Sequence, residues 1–389
     1  MLNMRLARLK KWPRIPCLLL LAVTGAAMAP AAIWEDPSWA LTAKADATVG
    51  YDSNISAVDG GPSDSFASFK PSLVATRKDA TLSFDTEAWA DFTAFQRDTG
   101  TDSIDPGIRM TLSYPANVDT LPTQAAEAHW IRTTSANLDV GGRVSQDDAL
   151  VKYEGDLVDT GKTTIVGRAS VEQDDYLGAA YSNLRTASVG TTLSYSPQPL
   201  IRAGAGYDLT LGRSEANSAG AGDLDQTEQA FTFQASGEFT PKISGKISVG
   251  SAYSDYTGTF IHSEWDAIAG AHLTWKPVER LSLEVQVLRA PYFSAGGNVD
   301  LSTSVGLGIR KELSNGFAVT ANGQAGNTDH KRTVTYRSDA IEGAGAGLDY
   351  NLTGRITASV NYGWTKQDSD VARYTYTRDV VTAAVLCRF

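Results

Sequence analysis

The sequence predicts an all-β chain, a single closed antiparallel transmembrane β-barrel of about 18 strands, within a range of roughly 16–20. Three observations carry this expectation. Apolar and polar residues alternate with a period of two along most of the chain. Short turns and long loops take turns between the alternating segments. One segment carries two tryptophans on the same face, ten residues apart.

The elements follow in order. Arg5, Arg8, Lys10, Lys11 and Arg14 precede the apolar run CLLLLAVTGAAMA (17–29), and small residues follow it, so 1–31 reads as a secretory signal peptide. The run is shorter than the roughly 20 residues a spanning helix needs. Cys17 lies ahead of the run without small neighbours, so no lipid anchor is expected. Residues 32–40 read as a short periplasmic segment and 41–389 as the barrel. Cleavage removes the five basic residues and takes the formal net charge from −10 to −15. Such a balance argues against nucleic acid as a partner, since phosphate binding rests on Lys and Arg. Cys387 is then the remaining cysteine, and no intramolecular disulfide is expected.

In ATLSFDTEAWADF (80–92), Leu82, Phe84, Ala88, Ala90 and Phe92 share one face, against Ser83, Asp85, Glu87 and Asp91. KISGKISVGSAY (242–253), NGFAVTANGQAG (315–326) and GRITASVNYGW (354–364) repeat the pattern. Strands are expected to begin near 41, 66, 80, 103, 123, 147, 162, 184, 199, 228, 242, 264, 279, 298, 315, 334, 354 and 373, with 123–160 the least regular stretch. TRKD (76–79), SPQP (196–199), KPVE (276–279), LSNG (313–316) and NLTG (351–354) carry the residues of tight reversals. DSNISAVDGGPSDS (52–65), EQDDYLGAAYSN (172–183) and SEANSAGAGDLDQ (214–226) are long loops. Short turns at one end and long loops at the other fit periplasmic and extracellular sides.

WDAIAGAHLTW (265–275) separates a membrane strand from a soluble sheet. Trp265 and Trp275 bracket only small or aliphatic residues on their face. Ten residues at about 3.3 Å each, tilted near 45°, rise roughly 23 Å, the height of the apolar band between aromatic girdles. Tyr362, Trp364 and Phe389 are assigned to the same girdles. Phe389, Cys387, Val385, Ala383 and Val381 share the outward face of the last strand, which closes the barrel.

The opposite face carries too many charges for a dry interior, which points to a water-filled lumen. By parity Lys44, Asp46, Asp85, Glu87, Asp91, Arg109, Lys152, Glu154, Asp156, Arg168, Arg202, Asp208, Lys246, Asp266, His272, Glu284, Asp300, Arg310, Arg355 and Arg378 line it. Their mixed signs, among many Ser, Thr, Asn and Gln, suit a hydrated uncharged or weakly anionic solute better than an ion filter. Pairing across neighbouring strands, which would stiffen the wall, is the alternative use of these charges.

Other signals are weaker. GAGAGLD (343–349) lies in a strand-period segment with no following helix, so small residues on a curved wall explain it better than a phosphate loop. The histidines His129, His262, His272 and His330 accompany no strained Gly-x-Ser-x-Gly turn and no metal spacing. His272 reads as a lumen-wall residue and the other three as solvated loop or rim residues. No catalytic residue, cofactor or metal is expected. Asp59, Asp64, Asp223, Asp225, Asp368 and Asp370 read as solvated loop charges rather than as cation ligands.

After the opening strand ATVGY comes YDSNI (51–55), and there the chain resembles the β-barrel porin 2 family of Gram-negative outer membranes. The resemblance implies an outer-membrane barrel found with exopolysaccharide or capsule export, with a separate periplasmic partner. The terminal Phe389 similarly resembles the signal by which such barrels meet their assembly machinery, although Cys387 departs from the larger apolar residue usual there. The resulting expectation is an outer-membrane channel passing polysaccharide or another hydrated solute. A plugged structural or adhesive barrel is the alternative, and a barrel-embedded hydrolase a weaker one.

Overall fold

The computed structural model describes residues 33–79, 81–114, 123–137, 142–178, 181–216, 223–257, 263–293, 299–330 and 337–389. The segment 1–31 that the sequence predicts to be a signal peptide lies outside them.

A two-residue strand, β1 (Trp34–Glu35), pairs with the start of β2 (Trp39–Asp52). The wall continues through β3 (Asp64–Lys78), β4 (Ser83–Phe95), β5 (Ser103–Tyr114), β6 (Gln124–Asn137), β7 (Gly142–Asp159) and β8 (Thr163–Tyr176). It goes on through β9 (Ser182–Gln198), β10 (Ile201–Ala216), β11 (Leu224–Thr240), β12 (Ile243–Thr257), β13 (Glu264–Trp275) and β14 (Leu281–Phe293). The last strands are β15 (Val299–Glu312), β16 (Phe317–His330), β17 (Arg337–Thr353), β18 (Ile356–Ser369) and β19 (Tyr376–Arg388). Each pairs antiparallel with the next, and β19 returns to β2 from Arg388↔Lys44 to Val380↔Asp52. The wall is therefore a closed barrel of 18 strands, β2 to β19. Closure leaves no sheet edge, which a hydrocarbon surround requires because lipid offers backbone groups no hydrogen bonds.

The expected strand starts agree with the observed ones to within a few residues. The irregular stretch 123–160 forms β6 and β7. Alternation sets the faces. Val151, Val171, Val189, Leu193, Leu211, Phe231, Phe233, Val249, Leu307 and Val360 are exposed on the outside and form an apolar belt. So large a continuous apolar exterior marks a lipid contact. Trp265 and Trp275 are likewise exposed rather than buried. At the closing strand, Val385 and Phe389 pack on the buried pair Ile356 and Cys387, and the Phe389 N–H donates to the Ala43 carbonyl (2.8 Å).

Two wall features depart from plain alternation. The β13–β14 ladder ends at Ala269↔Arg289 although both strands continue. Arg289 faces outward there, with Nε donating to the Ala267 carbonyl (3.0 Å) and Nη1 to Thr303 Oγ1 (2.6 Å). Pro291, two residues on, has no N–H to carry the ladder further. In β17, Gly345 and Gly347 face inward where a Cβ would lie 2.4 Å from Asn322 Oδ1 and from Asn361 Oδ1 respectively. Those glycines leave room for lumen amides, which is the use of GAGAGLD.

The short turn after β3 is held by Asp79, whose Oδ1 accepts the amides of Thr81 (3.0 Å) and Leu82 (2.7 Å). These amide bonds hold its carboxyl down at about 2, with the Thr81 hydroxyl adding to them. A depressed carboxyl stabilises the folded turn fully above its ordinary value of 3.8 and loses that contribution as pH falls toward about 2. Hydrogen exchange at Thr81 and Leu82 should therefore stay protected, relative to neighbouring turns, down to about pH 4 and weaken below it.

Candidate pore

The inward face follows from strand parity and register. Lys44 Nζ lies 3.4 Å from Glu87, and Ser72 Oγ donates to the same carboxylate (2.9 Å). Arg168 grips Asp208 with both arms of its fork (2.6 and 2.7 Å) and donates to Thr192 (2.8 Å). Arg310 meets Asp349 (3.1 Å), and Arg109 stands opposite Glu87 in the ladder and 3.7 Å from Glu127. Asp46, Asp85, Asp91, Lys152, Glu154, Arg202, Lys246, His272 and Glu284 share this face by register. Arg355 does not. It sits in the turn between β17 and β18, where strand parity has no meaning.

Burial divides the lumen. Toward the short turns of β14–β16, inward Glu284, Gln286, Asn322 and Gln324 are exposed, whereas beside the short turns of β7–β9 inward Asp156, Thr164, Thr192 and Ser194 are buried. At the long-loop end the inward Asp52, Leu184, Gln226, Asp300, His330, Asp339 and Gln367 are buried, and so is Ile55 in the folded β2–β3 connection. Several expected lumen charges therefore belong to a packed layer and not to an open bore. Asp300 is one, and Asp266 is buried near the same end.

Two histidines depart from the sequence expectation of solvated rim residues. His330 is buried, with Nδ1 2.6 Å from Asp300 Oδ2 and Nε2 2.9 Å from Asp339 Oδ2. Arg337 Nη2 lies 2.9 Å from the same Asp339 oxygen and 2.7 Å from Nε2, and its guanidinium stacks 3.8 Å over the Tyr374 ring. His129 Nε2 lies 2.9 Å from Asp148 Oδ2. Asp148, Glu172 and Asp174 in turn bring carboxylate oxygens within 4.8 Å of one another. His262 lies outside the described residues. No serine hydroxyl is hydrogen-bonded to a histidine among the described residues. Of the loop aspartates, Asp64 accepts the amides of Arg97 (2.8 Å) and Asp98 (2.9 Å), which makes it a loop fastener and not a free charge.

The sequence also missed Asp52. Arg378 Nη2 lies 2.6 Å from Asp52 Oδ2 and Nε 3.0 Å from Oδ1. This pair joins the first and last barrel strands just past the end of their ladder. The signal was present in YDSNI, but its partner lay at the far end of the chain.

No curated protein matches the chain by sequence. Among solved structures, the FrpB iron transporter from Neisseria meningitidis (F3-3 variant) aligns over 85% of this chain and 62% of its own, at 10% identity and a TM-score of 0.46. The chain thus spans less than two thirds of that protein. OccK3 (OpdO) of Pseudomonas aeruginosa aligns over 90% and 95% at 14% identity and 0.48. The siderophore receptor PirA from Acinetobacter baumannii aligns over 90% and 80% at 9% and 0.42. Residues 227–389, from within β11 to the closing strand, match the model of the family described as Putative beta-barrel porin 2. With its lipid-facing belt and polar inward face, the chain is a porin-like outer-membrane β-barrel that resembles this family over that span.

Proposed function

We propose that the barrel is an outer-membrane channel that passes a hydrated polymer, a polysaccharide, as part of an exopolysaccharide export system. The observation that carries this reading is the polar inward face, exposed and lined by the amides of Gln286, Asn322, Gln324 and Asn361 across β14–β18. Hydroxyl-rich chains exchange hydrogen bonds with such a wall without strong trapping, and passage needs that balance. The export context comes from the family resemblance. A separate periplasmic export protein is the partner this reading requires, and Phe389 is the contact for the assembly machinery.

The buried layer at the long-loop end favours a second reading, a structural or adhesive surface barrel with a plugged lumen. Planar-bilayer recording separates the two. The channel reading expects steady currents, and deletion of the gene should lower secreted polysaccharide. A correctly folded barrel without steady current would favour the plugged reading. Unchanged polysaccharide after deletion would remove the export role.

A further inference from the structure

The lumen wall holds a cavity of about 680 Å³, lined from β5 to β12, large enough for a sugar unit or two. Its two sides differ in how their charges are answered. On the β6–β7 side, Glu127 lies 3.7 Å from Arg109 and 3.6 Å from His129, and Asp156 accepts the Thr123 amide (3.1 Å) and hydroxyl (2.8 Å). Glu154 on that side makes no ion pair among the described residues, since Arg168 opposite it in register is held by Asp208, and Lys152 stands two residues away. On the β10–β12 side, Arg202 and Lys246 flank Ser236 in one row across three neighbouring strands. Neither makes an ion pair among the described residues. The next residue in the row is His272, so no carboxylate answers them from that strand.

We infer that the Arg202–Ser236–Lys246 row is a binding subsite for an anionic substituent (carboxylate, sulfate or phosphate) on the hydrated chain that the channel passes. This rests on the channel reading and narrows its solute to an acidic polymer. Strands two apart stand about 9–10 Å from each other. An anion seated over Ser236 is thus reached from both sides, by the planar fork of Arg202 and the point charge of Lys246. Gln234 and Ser194 in the same cavity offer hydrogen bonds to sugar hydroxyls.

The test uses the full-length reconstituted protein and two probes, hexagalacturonate and maltohexaose, added from the short-turn side of a planar bilayer. Hexagalacturonate should block the current with lifetimes roughly tenfold longer than in the Arg202→Gln, Lys246→Gln double variant, taking about 0.7 kcal/mol for each partly exposed cation. Maltohexaose should block briefly and equally in both. In the wild type, raising salt from about 0.1 M to about 1 M should shorten the hexagalacturonate blocks, because screening then reaches the site. This arm stands even where the double variant does not fold. Lifetimes unaffected by both salt and substitution, or equal for the two probes, would overturn the subsite and leave the channel reading intact. Absence of current would instead overturn the channel reading. Calorimetric binding of hexagalacturonate to the detergent-solubilised barrel, which needs no open pore, then decides the subsite alone, with loss in the double variant expected and no binding to wild type overturning it.

Discussion

The His330→Ala variant is expected to unfold roughly 3–5 kcal/mol more easily than the parent barrel. Asp300 is the reason. Its side chain is 0% exposed, and His330 Nδ1 lies 2.6 Å from its Oδ2. Asp339 is less dependent, since Arg337 (2.9 Å) and Gln367 (3.3 Å) also donate to it. Removing the imidazole strands a carboxylate in a packed layer that water does not reach, and the cost is the desolvation of that charge. The measurement is the urea midpoint for loss of the compact, fast-migrating form on unheated gels. Replacing Asp300 by leucine in the same molecule should restore most of the loss, because an apolar residue there has no charge to compensate. A single variant within about 0.5 kcal/mol of wild type would mean that the layer is wet, and the plugged reading would lose its support with it.

How much of this was visible in the sequence depends on how local each feature is. Alternation is a property of adjacent residues, so every barrel strand was legible, even β6 and β7 where the pattern is irregular. The faces of Trp265, Trp275, Tyr362 and Trp364 follow from the same parity. The cluster at His330 was not legible, because Asp300 and Asp339 become its neighbours only through the registers of β15 with β16 and of β16 with β17. The adjacent Asp329 points to the other face. Parity also misleads where strands run past the lipid. Arg132 meets Asp147 (2.6 Å), and Arg213 meets Glu215 (3.4 Å) and Asp223 (3.1 Å), all on the outward face near the long loops, where the exterior is no longer apolar. A sequence rule of apolar outside and polar inside holds only for the height of the bilayer.

The motif that carried the family resemblance also yields the second large effect. Asp52 is only 5% exposed at its side chain, and Arg378, from 326 residues away, holds both its oxygens. The Asn54 amide donates to the same carboxylate (2.9 Å), the Asp379 amide donates to Ser53 Oγ (2.7 Å), and the Ser53 amide to the Asp379 carbonyl (2.9 Å). Asp-Ser-Asn is therefore a clasp at the end of the β19–β2 ladder, the contact with the greatest loop-closure cost in a barrel. Arg378→Ala should lower stability by roughly 2–3 kcal/mol, the lower part of the buried-pair range because the guanidinium is 28% exposed. Arg378→Lys should recover little, since an ammonium cannot reproduce the two-armed fit. The decisive quantity is the coupling in a double-mutant cycle with Asp52→Ala, expected at roughly 2 kcal/mol in the urea midpoint analysis. A coupling near zero would show that the ladder alone closes the barrel. The opening-strand motif would then owe its residues to the β2–β3 loop, where Asn54 already bonds Val58 through both ends of its amide (2.8 and 3.3 Å).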